Sequence, residues 1–577
     1  MLAGVGDRAR ADAADAARRR AGGGPAARSQ RQRRLAWSLA LAIAQAALFT
    51  LSLCQSLTSA INSDGAANIL QAQAMLHGNP LLRGWWTSDV SFYTTELPEY
   101  ALVVAARGVS PDVVHICGAL TYTLAVALAA LVARGRATGA AGLRRAGLAV
   151  AIMLAPSILG GTEVFLENPD HFGTSVPVLL LLLLLDRGDE PGRRDRIVGR
   201  WYLPAAACAL LAWTQVGDEL SLAAATIPVA VVCACRLAVA GLRRRSRAGL
   251  RTDGLLLAAA VVSVEVGLLT DYVIRAIGGF VQQTIAGQQL APLRQLPGNA
   301  HLLWQSLVVI FGANNPGVPK RAITISAHVP LVLMTSLHVI GLVLALAGLV
   351  AGIAVGFLGR GGDRDRVTQI LVVAIGVTVA AAVFGTVLKS LATAHEVAIL
   401  LPLGAVLAGR TLPPLARRLV SSRRQPVATV ALAGWLAVGA AEMCYAAQWP
   451  AAPVSVQTVA DWLVAHHQRD GLAAYWQAAQ TTVTSGGRVL VAPVTQSATA
   501  PMPWEVAADW YRPGLRRATF VIAGAGPQHL EKPLSVAEVR ARFGRPAAEY
   551  HVGDDVIMIY RYNLLTRLHS RALLGPP

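Results

Sequence analysis

Apolar residues in this chain come in long uninterrupted runs rather than in the two- or 3.6-residue alternation of a half-buried element. The runs lie at 35–57, 112–133, 146–160, 174–185, 201–215, 219–235, 254–272, 329–358, 367–388, 394–409 and 426–447. At 1.5 Å per residue, the 23 residues from Leu35 to Leu57 are enough to cross about 30 Å of hydrocarbon. They also exceed the roughly 7–15 residues of a secretory signal core, so the pattern predicts a retained first span. Several runs, 174–185 above all, are shorter than the roughly 20 residues a span needs. The fold class expected is an all-α polytopic membrane bundle of about eleven transmembrane helices.

Between the runs the polar segments differ in kind. Residues 1–34 have no hydrophobic period and carry clusters such as Arg18–Arg19–Arg20, which predicts a disordered basic cytoplasmic arm. Two segments, 58–111 and 273–328, are far longer than ordinary connections and contain apolar patterns and aromatic residues, so both are expected to fold. From about 449 the pattern changes again. An amphipathic stretch (Val456 to Ala479) precedes three strand-like runs, Arg488 to Val494, Ala518 to Ala523 and Val556 to Tyr560, separated by Gly and Pro. The expected organisation is therefore an arm (1–34), a membrane domain (35–448) and a small C-terminal α/β domain (449–577).

Composition agrees with a membrane solvent: 54% of the 577 residues are hydrophobic and 15% charged. The net charge of +18 is spread over short inter-span clusters rather than gathered on one aromatic-bearing face, which argues against a nucleic-acid partner. Its distribution fixes an orientation instead. Threading the runs alternately from a cytoplasmic N-terminus leaves 32 Lys and Arg inside and seven in the outside loops (Arg83, Arg107, Arg275, Arg294, Lys320, Arg321, Lys389), with 12 in the tail. That asymmetry is the positive-inside pattern, and it predicts a plasma membrane of bacterial type with the tail exported. All six cysteines lie in or beside apolar runs, so no disulfide framework or zinc motif is on offer.

This threading places the acidic residues on one side. Asp64, Asp89, Glu96 and Glu99 fall in the first outside loop, Glu163, Glu167, Asp170 and His171 in the second, Asp218 and Glu219 in the third, Asp271 at the next span mouth, and His395 with Glu396 in a late short loop. Loops depleted of Lys and Arg carry acidic charge without any function. Asp64 and the Glu163–His171 cluster differ, because they sit within a few residues of an apolar span, where an ionised carboxylate is costly unless paired or hydrated. Convergence of such groups would supply a general base or a metal site.

Directly after the first span runs Asn62-Ser63-Asp64-Gly65-Ala66-Ala67-Asn68, followed by Leu70-Gln71-Ala72-Gln73-Ala74-Met75-Leu76-His77-Gly78-Asn79-Pro80. This segment resembles the start of the first exported loop in the GT-C glycosyltransferases that use polyprenyl-phosphate-linked sugars, the group of protein mannosyltransferases and lipid A aminoarabinose transferases. Members carry an acidic residue there, then an amphipathic helix ending in a Gly-rich turn. Gly65 stands where a second acid is common. The resemblance implies an integral membrane enzyme that moves a sugar from a polyprenyl-phosphate carrier, its lipid partner, to an envelope glycan, lipid or protein acceptor, with Asp64 as the catalytic carboxylate. Arg83, Arg275, Lys320, Arg321, Lys389 and His395 are the candidates for holding the lipid phosphate, although each is also placed where basic side chains snorkel. Whether a divalent metal takes part is left open.

Two intramembrane residues support a different class. Glu265 and His338 fall inside the runs 254–272 and 329–358, where a polar side chain faces other helices and serves a proton relay in some transporters. A polytopic secondary transporter, or a non-catalytic envelope-polysaccharide assembly protein, is thus the alternative. No repeat relates the two halves, as transporter folds usually require.

Overall fold

A computed structural model describes residues 25–154, 161–188, 202–242, 247–283, 290–313, 328–358, 365–419, 425–454, 456–524 and 533–569. Its helices are α1 (Pro25–Ser56), α2 (Ser63–Leu76), α3 (Leu97–Arg107), α4 (Asp112–Arg134), α5 (Gly139–Met153), α6 (Gly161–Phe165), α7 (Ser175–Gly188), α8 (Tyr202–Gly217), α9 (Ile227–Leu242), α10 (Arg247–Ala276), α11 (Leu296–Ile310), α12 (His328–Ile353), α13 (Arg366–Phe384), α14 (Leu400–Leu419) and α15 (Gln425–Ala446). Every apolar run of the sequence falls on one or more of them. Seven helical segments among the described residues are long and apolar enough to cross a membrane: Leu35–Ser56, Asp112–Arg134, Leu222–Ala240, Leu250–Ala276, Met334–Leu358, Arg366–Phe384 and Gln425–Ala446. Leu391–Val397 and Leu400–Arg418, bent by 50°, make an eighth if taken as one broken span. The runs left over lie on α5, α7 and α8, which have 14 to 16 residues. The chain is a multi-pass helical membrane protein.

Of the arm expected over 1–34, residues 1–24 lie outside the described part, and Pro25–Arg34 continue α1. Proline is suited to a first helical turn, and the Ala, Arg and Gln that follow are good helix formers. Met1–Leu51 forms one unit of the chain and Ser52–Pro577 another.

Several charged residues within the second unit are paired with one another. The Arg410 guanidinium donates to Asp186 at 2.7 Å and Asp365 at 2.8 Å and to the Val132 carbonyl at 2.6 Å. Asp253 takes Arg236 at 3.1 Å and Arg366 at 2.8 Å. His338 lies 3.0 Å from Glu442 of α15, while Glu265 is exposed on α10. The relay of Glu265 and His338 that the transporter alternative offered is therefore corrected, since the two do not share one interior. Glu442, at the far end of another apolar run, is the partner, because only tertiary packing selects among intramembrane polar groups.

The described residues of both long loops are folded, as expected. The first contains α2, β1 (Trp85–Thr87) and α3; the second contains β2 (Val281–Gln282) and α11. The tail is built from α16 (Gln457–Ala465), β3 (Asp470–Ala473), α17 (Tyr475–Thr484), β4 (Leu490–Pro493), β5 (Val506–Ala507), β6 (Ala518–Gly524), α18 (Val536–Phe543), β7 (Ala548–Val552) and β8 (Asp555–Ile559). The three strand-like runs of the sequence become β4, β6 and β8. The amphipathic stretch Val456–Ala479 proves to be α16 and α17 separated by β3. A left-handed backbone at His467 (φ +53°) ends the first helix. Gly471 then lets β3 run beneath Phe520, whose ring would lie 2.2 Å from any added Cβ.

A five-stranded sheet results, in the order β4-β3-β6-β8-β7, with β3 parallel to β4 and β6 and the other pairs antiparallel. The nearly continuous apolar run of β6 is explained by burial on both faces. Phe520 and Ile522 pack with Val459 and Leu463 of α16, and Val521 and Ala523 with Val539 and Phe543 of α18. A second, three-stranded sheet ties distant segments together: β1 pairs in parallel with β2 and antiparallel with β5. The tail and both long loops thus lie on the same side of the bundle, as the threading of the sequence requires.

Candidate active site

Asp64 owes its position to two local features. Asn62 caps α2, its side chain accepting from the Gly65 amide at 2.9 Å, so Asp64 stands in the first helical turn, where unpaired amides favour a carboxylate. Gly65 lets that turn press against α4 and the loop after α6: an added Cβ would meet Val114 at 2.8 Å and Asn168 at 3.3 Å. A second acid would not fit there.

Against this turn the tail places α17. Ala479 and Val483 join Ala66, Ile69 and Leu70 of α2 in one buried cluster, and Ser63 Oγ donates to the Tyr475 carbonyl at 2.9 Å. The Tyr475 phenol consequently lies between two carboxylates, 2.5 Å from Asp64 Oδ1 and 2.7 Å from Glu505 Oε2. Glu505 directly precedes β5, and the β1–β5 pairing Trp86↔Val506 holds it beside the first loop. Its backbone is left-handed (φ +51°) and its side chain buried.

A phenol has one proton to donate, so two carboxylates sharing it imply a further proton. Burial raises the Asp64 carboxyl to about 6, opposed by the Tyr475 hydrogen bond and the charge of His171. Burial raises Glu505 well above the usual range, with Asp64 and Asp170 adding to the effect. Both carboxyls are thus held above the ordinary carboxylate range by burial, with the Tyr475 hydroxyl donating between them.

A second group of side chains adjoins the first. Asp170 accepts from Asn68 Nδ2 of α2 at 3.0 Å, and burial together with the Asp64 charge raises its carboxyl to about 8. His171, left-handed at φ +59°, has Nδ1 3.2 Å from Asp218 and Nε2 3.7 Å from Glu396, and its ring stacks on His395 with centroids 5.4 Å apart. Glu96 is almost fully buried beside Thr95; burial, then the charge of Asp218, hold it well above its normal range.

Of the residues expected from the sequence, Asp64, Asp170, His171 and His395 come together here. Glu163 is exposed on α6 and Glu167 half-buried. Among the basic candidates, Lys389 is electrostatically coupled to Asp89 and Glu396, and Arg275 to Glu219 and Asp271. Arg83 is exposed. Lys320 and Arg321 lie outside the described residues. Tyr475 and Glu505 were not singled out by sequence reasoning, and nothing in the pattern could have found them, since each is one polar residue in a mixed tail some 400 positions from Asp64. Asp218 and Glu396 carried a signal, as acidic residues of outside loops bordering spans.

No protein-family model matches the chain, and no curated protein matches it by sequence. Among solved structures it is similar to ArnT from Cupriavidus metallidurans. The crystal structure of ArnT bound to undecaprenyl phosphate superposes with a TM-score of 0.53 at 12% identity, covering 94% of this chain and 99% of ArnT. The apo form gives 0.51 at 11%, covering 94% and 100%. At such identity the likeness establishes the fold: a GT-C-like membrane bundle with a C-terminal α/β domain.

Proposed function

We propose that this protein is a membrane glycosyltransferase which moves a sugar from a polyprenyl-phosphate carrier to an envelope acceptor, with Asp64 as general base. The observation that carries the reading is the Tyr475 phenol held between Asp64 and Glu505, which fixes a half-buried carboxylate at the start of the first loop of a GT-C-like fold. An acceptor hydroxyl or amine gives its proton to Asp64 as its oxygen or nitrogen bonds to the anomeric carbon. The bond from that carbon to the phosphate oxygen breaks, and the lipid phosphate departs with the electron pair. Lys389 and Arg275 are the cations to which this reading assigns that charge. The undecaprenyl phosphate in the ArnT structure supports a lipid of this class. In this reading the site faces the exported side, residues 1–34 form a cytoplasmic arm, 35–448 the membrane domain and 449–577 an exported domain whose task includes presenting Tyr475 and Glu505.

The test is genetic and chemical. Cells lacking the protein should lose one sugar modification of the envelope and accumulate the matching polyprenyl-phosphate sugar. Wild-type protein should restore both, and Asp112→Asn should do likewise, since that residue is exposed in an ion pair with Arg107. An envelope and lipid pool unchanged by the deletion would remove the proposal.

A further inference from the structure

We propose that the end of the five-stranded sheet opposite Tyr475 is a docking surface for an acidic polysaccharide, held there as the acceptor of the proposed transfer. The register brings one end of every strand into line. Asp470 of β3 pairs with Leu490 of β4 and Ala518 of β6, and Ile559 of β8 pairs with Phe520 of β6 and Ala548 of β7. At that end each strand is flanked by arginine. Arg488 precedes β4, Arg469 precedes β3, Arg516 and Arg517 precede β6, Arg561 follows β8 and Arg545 precedes β7, and all six are exposed. They are scattered over 469–561 in the sequence, so only the topology gathers them. With neighbouring strands about 4.8 Å apart, the row is about 19 Å long.

The charge of the row is nearly uncompensated. Among the described residues Asp470, 3.5 Å from Arg516, is the one carboxylate in an ion pair with any of the six. Arg517 donates instead to the Arg561 carbonyl at 3.2 Å and Arg488 to the Ser485 carbonyl at 2.8 Å, contacts that orient a guanidinium without neutralising it. Each guanidinium can meet a carboxylate, sulfate or phosphate with two parallel N–H bonds. A single small anion would engage one or two arginines, whereas a polymer with acid groups on successive sugars engages the whole row. A lipid surface is the weaker occupant, since interfacial elements set large apolar side chains beside their cations. Of the described residues immediately flanking these strand ends, Leu515 alone is a large exposed hydrophobic. Strand β3 joins the row to the site: at about 3.3 Å per extended residue, Arg469 lies within about 20 Å of Tyr475, whose phenol meets Asp64. A few sugars therefore bridge from the row to the base. That the polymer is the acceptor rests on the proposed function; that it binds does not.

Binding is read without sugar transfer, on full-length protein in phosphatidylcholine nanodiscs. Polygalacturonate and dextran sulfate, which carry carboxylates and sulfates on their sugars, should bind at low salt. Both should be released near 1 M salt, where the Debye length is about 3 Å, and uncharged dextran should not bind at all. Arg469→Gln, Arg517→Gln and Arg561→Gln together should weaken both acidic polymers by about tenfold or more. Arg417→Gln with Arg418→Gln, at exposed positions on α14, should bind as the wild type does. Failure of the wild type to bind either acidic polymer would overturn the surface, as would equal affinity in the triple variant. Competition by phosphatidylglycerol vesicles that displaces both polymers would also overturn it, by assigning the row to lipid. Binding as expected, in a protein whose deletion leaves envelope and lipid pool unchanged, would remove the acceptor role and keep the surface, so surface and transfer fail separately.

Discussion

Asp64→Asn is expected to lower sugar transfer by about 10²- to 10⁴-fold, the usual effect of removing a general base, with little change in melting temperature. The amide keeps the shape of the side chain and accepts from Tyr475 through its oxygen, so the helix cap and the α2–α17 contact survive. Two companion variants separate base chemistry from packing. Glu505→Gln keeps an oxygen that accepts from Tyr475 and should retain most activity. Tyr475→Phe breaks the chain on both sides, leaves two buried carboxylates without their shared donor, and should approach the loss of Asp64→Asn. Initial rates with purified variants, compared after matched size-exclusion and melting profiles, are the measurement.

The largest effect on stability should come from the other end of the bundle. Arg410→Met keeps much of the apolar stem but removes the guanidinium shared by Asp186, Asp365 and the Val132 carbonyl. Breaking a buried ion pair by deleting one partner costs about 3–5 kcal/mol, because the remaining charge stays buried and unpaired. A marked fall in the detergent melting temperature is expected. Asp186→Asn alone should cost less, since Arg410 keeps Asp365. The triple variant Arg410→Met, Asp186→Leu, Asp365→Asn, which removes all three charges, should recover much of the loss. Equal melting for Arg410→Met and wild type would show that these charges are hydrated rather than enclosed.

The bundle was legible in the chain because lipid imposes one requirement on every span, a long apolar run. Asp64 was legible for the related reason that ionised groups beside a span are rare. Contacts across the fold were not. Glu442 opposite His338, Tyr475 above Asp64 and Glu505 beside it depend on which helices and strands meet. The amphipathic stretch Val456–Ala479 did not reveal its interruption at His467 and Gly471, where a strand runs beneath Phe520. The strands themselves, β4, β6 and β8, were visible because their apolar runs are short and bounded by turn residues.

The central claim is that an ionised Asp64, held between tail and first loop, takes the acceptor proton. It is tested most directly by the pH dependence of transfer under donor saturation. The groups facing Asp64 are Tyr475 and Glu505 from the tail, Asp170 and His171 from the loop after α6, and Asp89 from the first loop. Their sum, dominated by burial, places the carboxyl at about 6, so the base is protonated and idle below that pH and ionised above it. The rate should rise about tenfold per pH unit on the acid side and level off above about 6. In Tyr475→Phe, which loses the hydrogen bond that favours the ionised form, the residual rate should rise at higher pH than in the wild type. In Asp64→Asn this limb should vanish. A wild-type rate without an acid limb near 6, or one that Asp64→Asn leaves in place, would contradict the account.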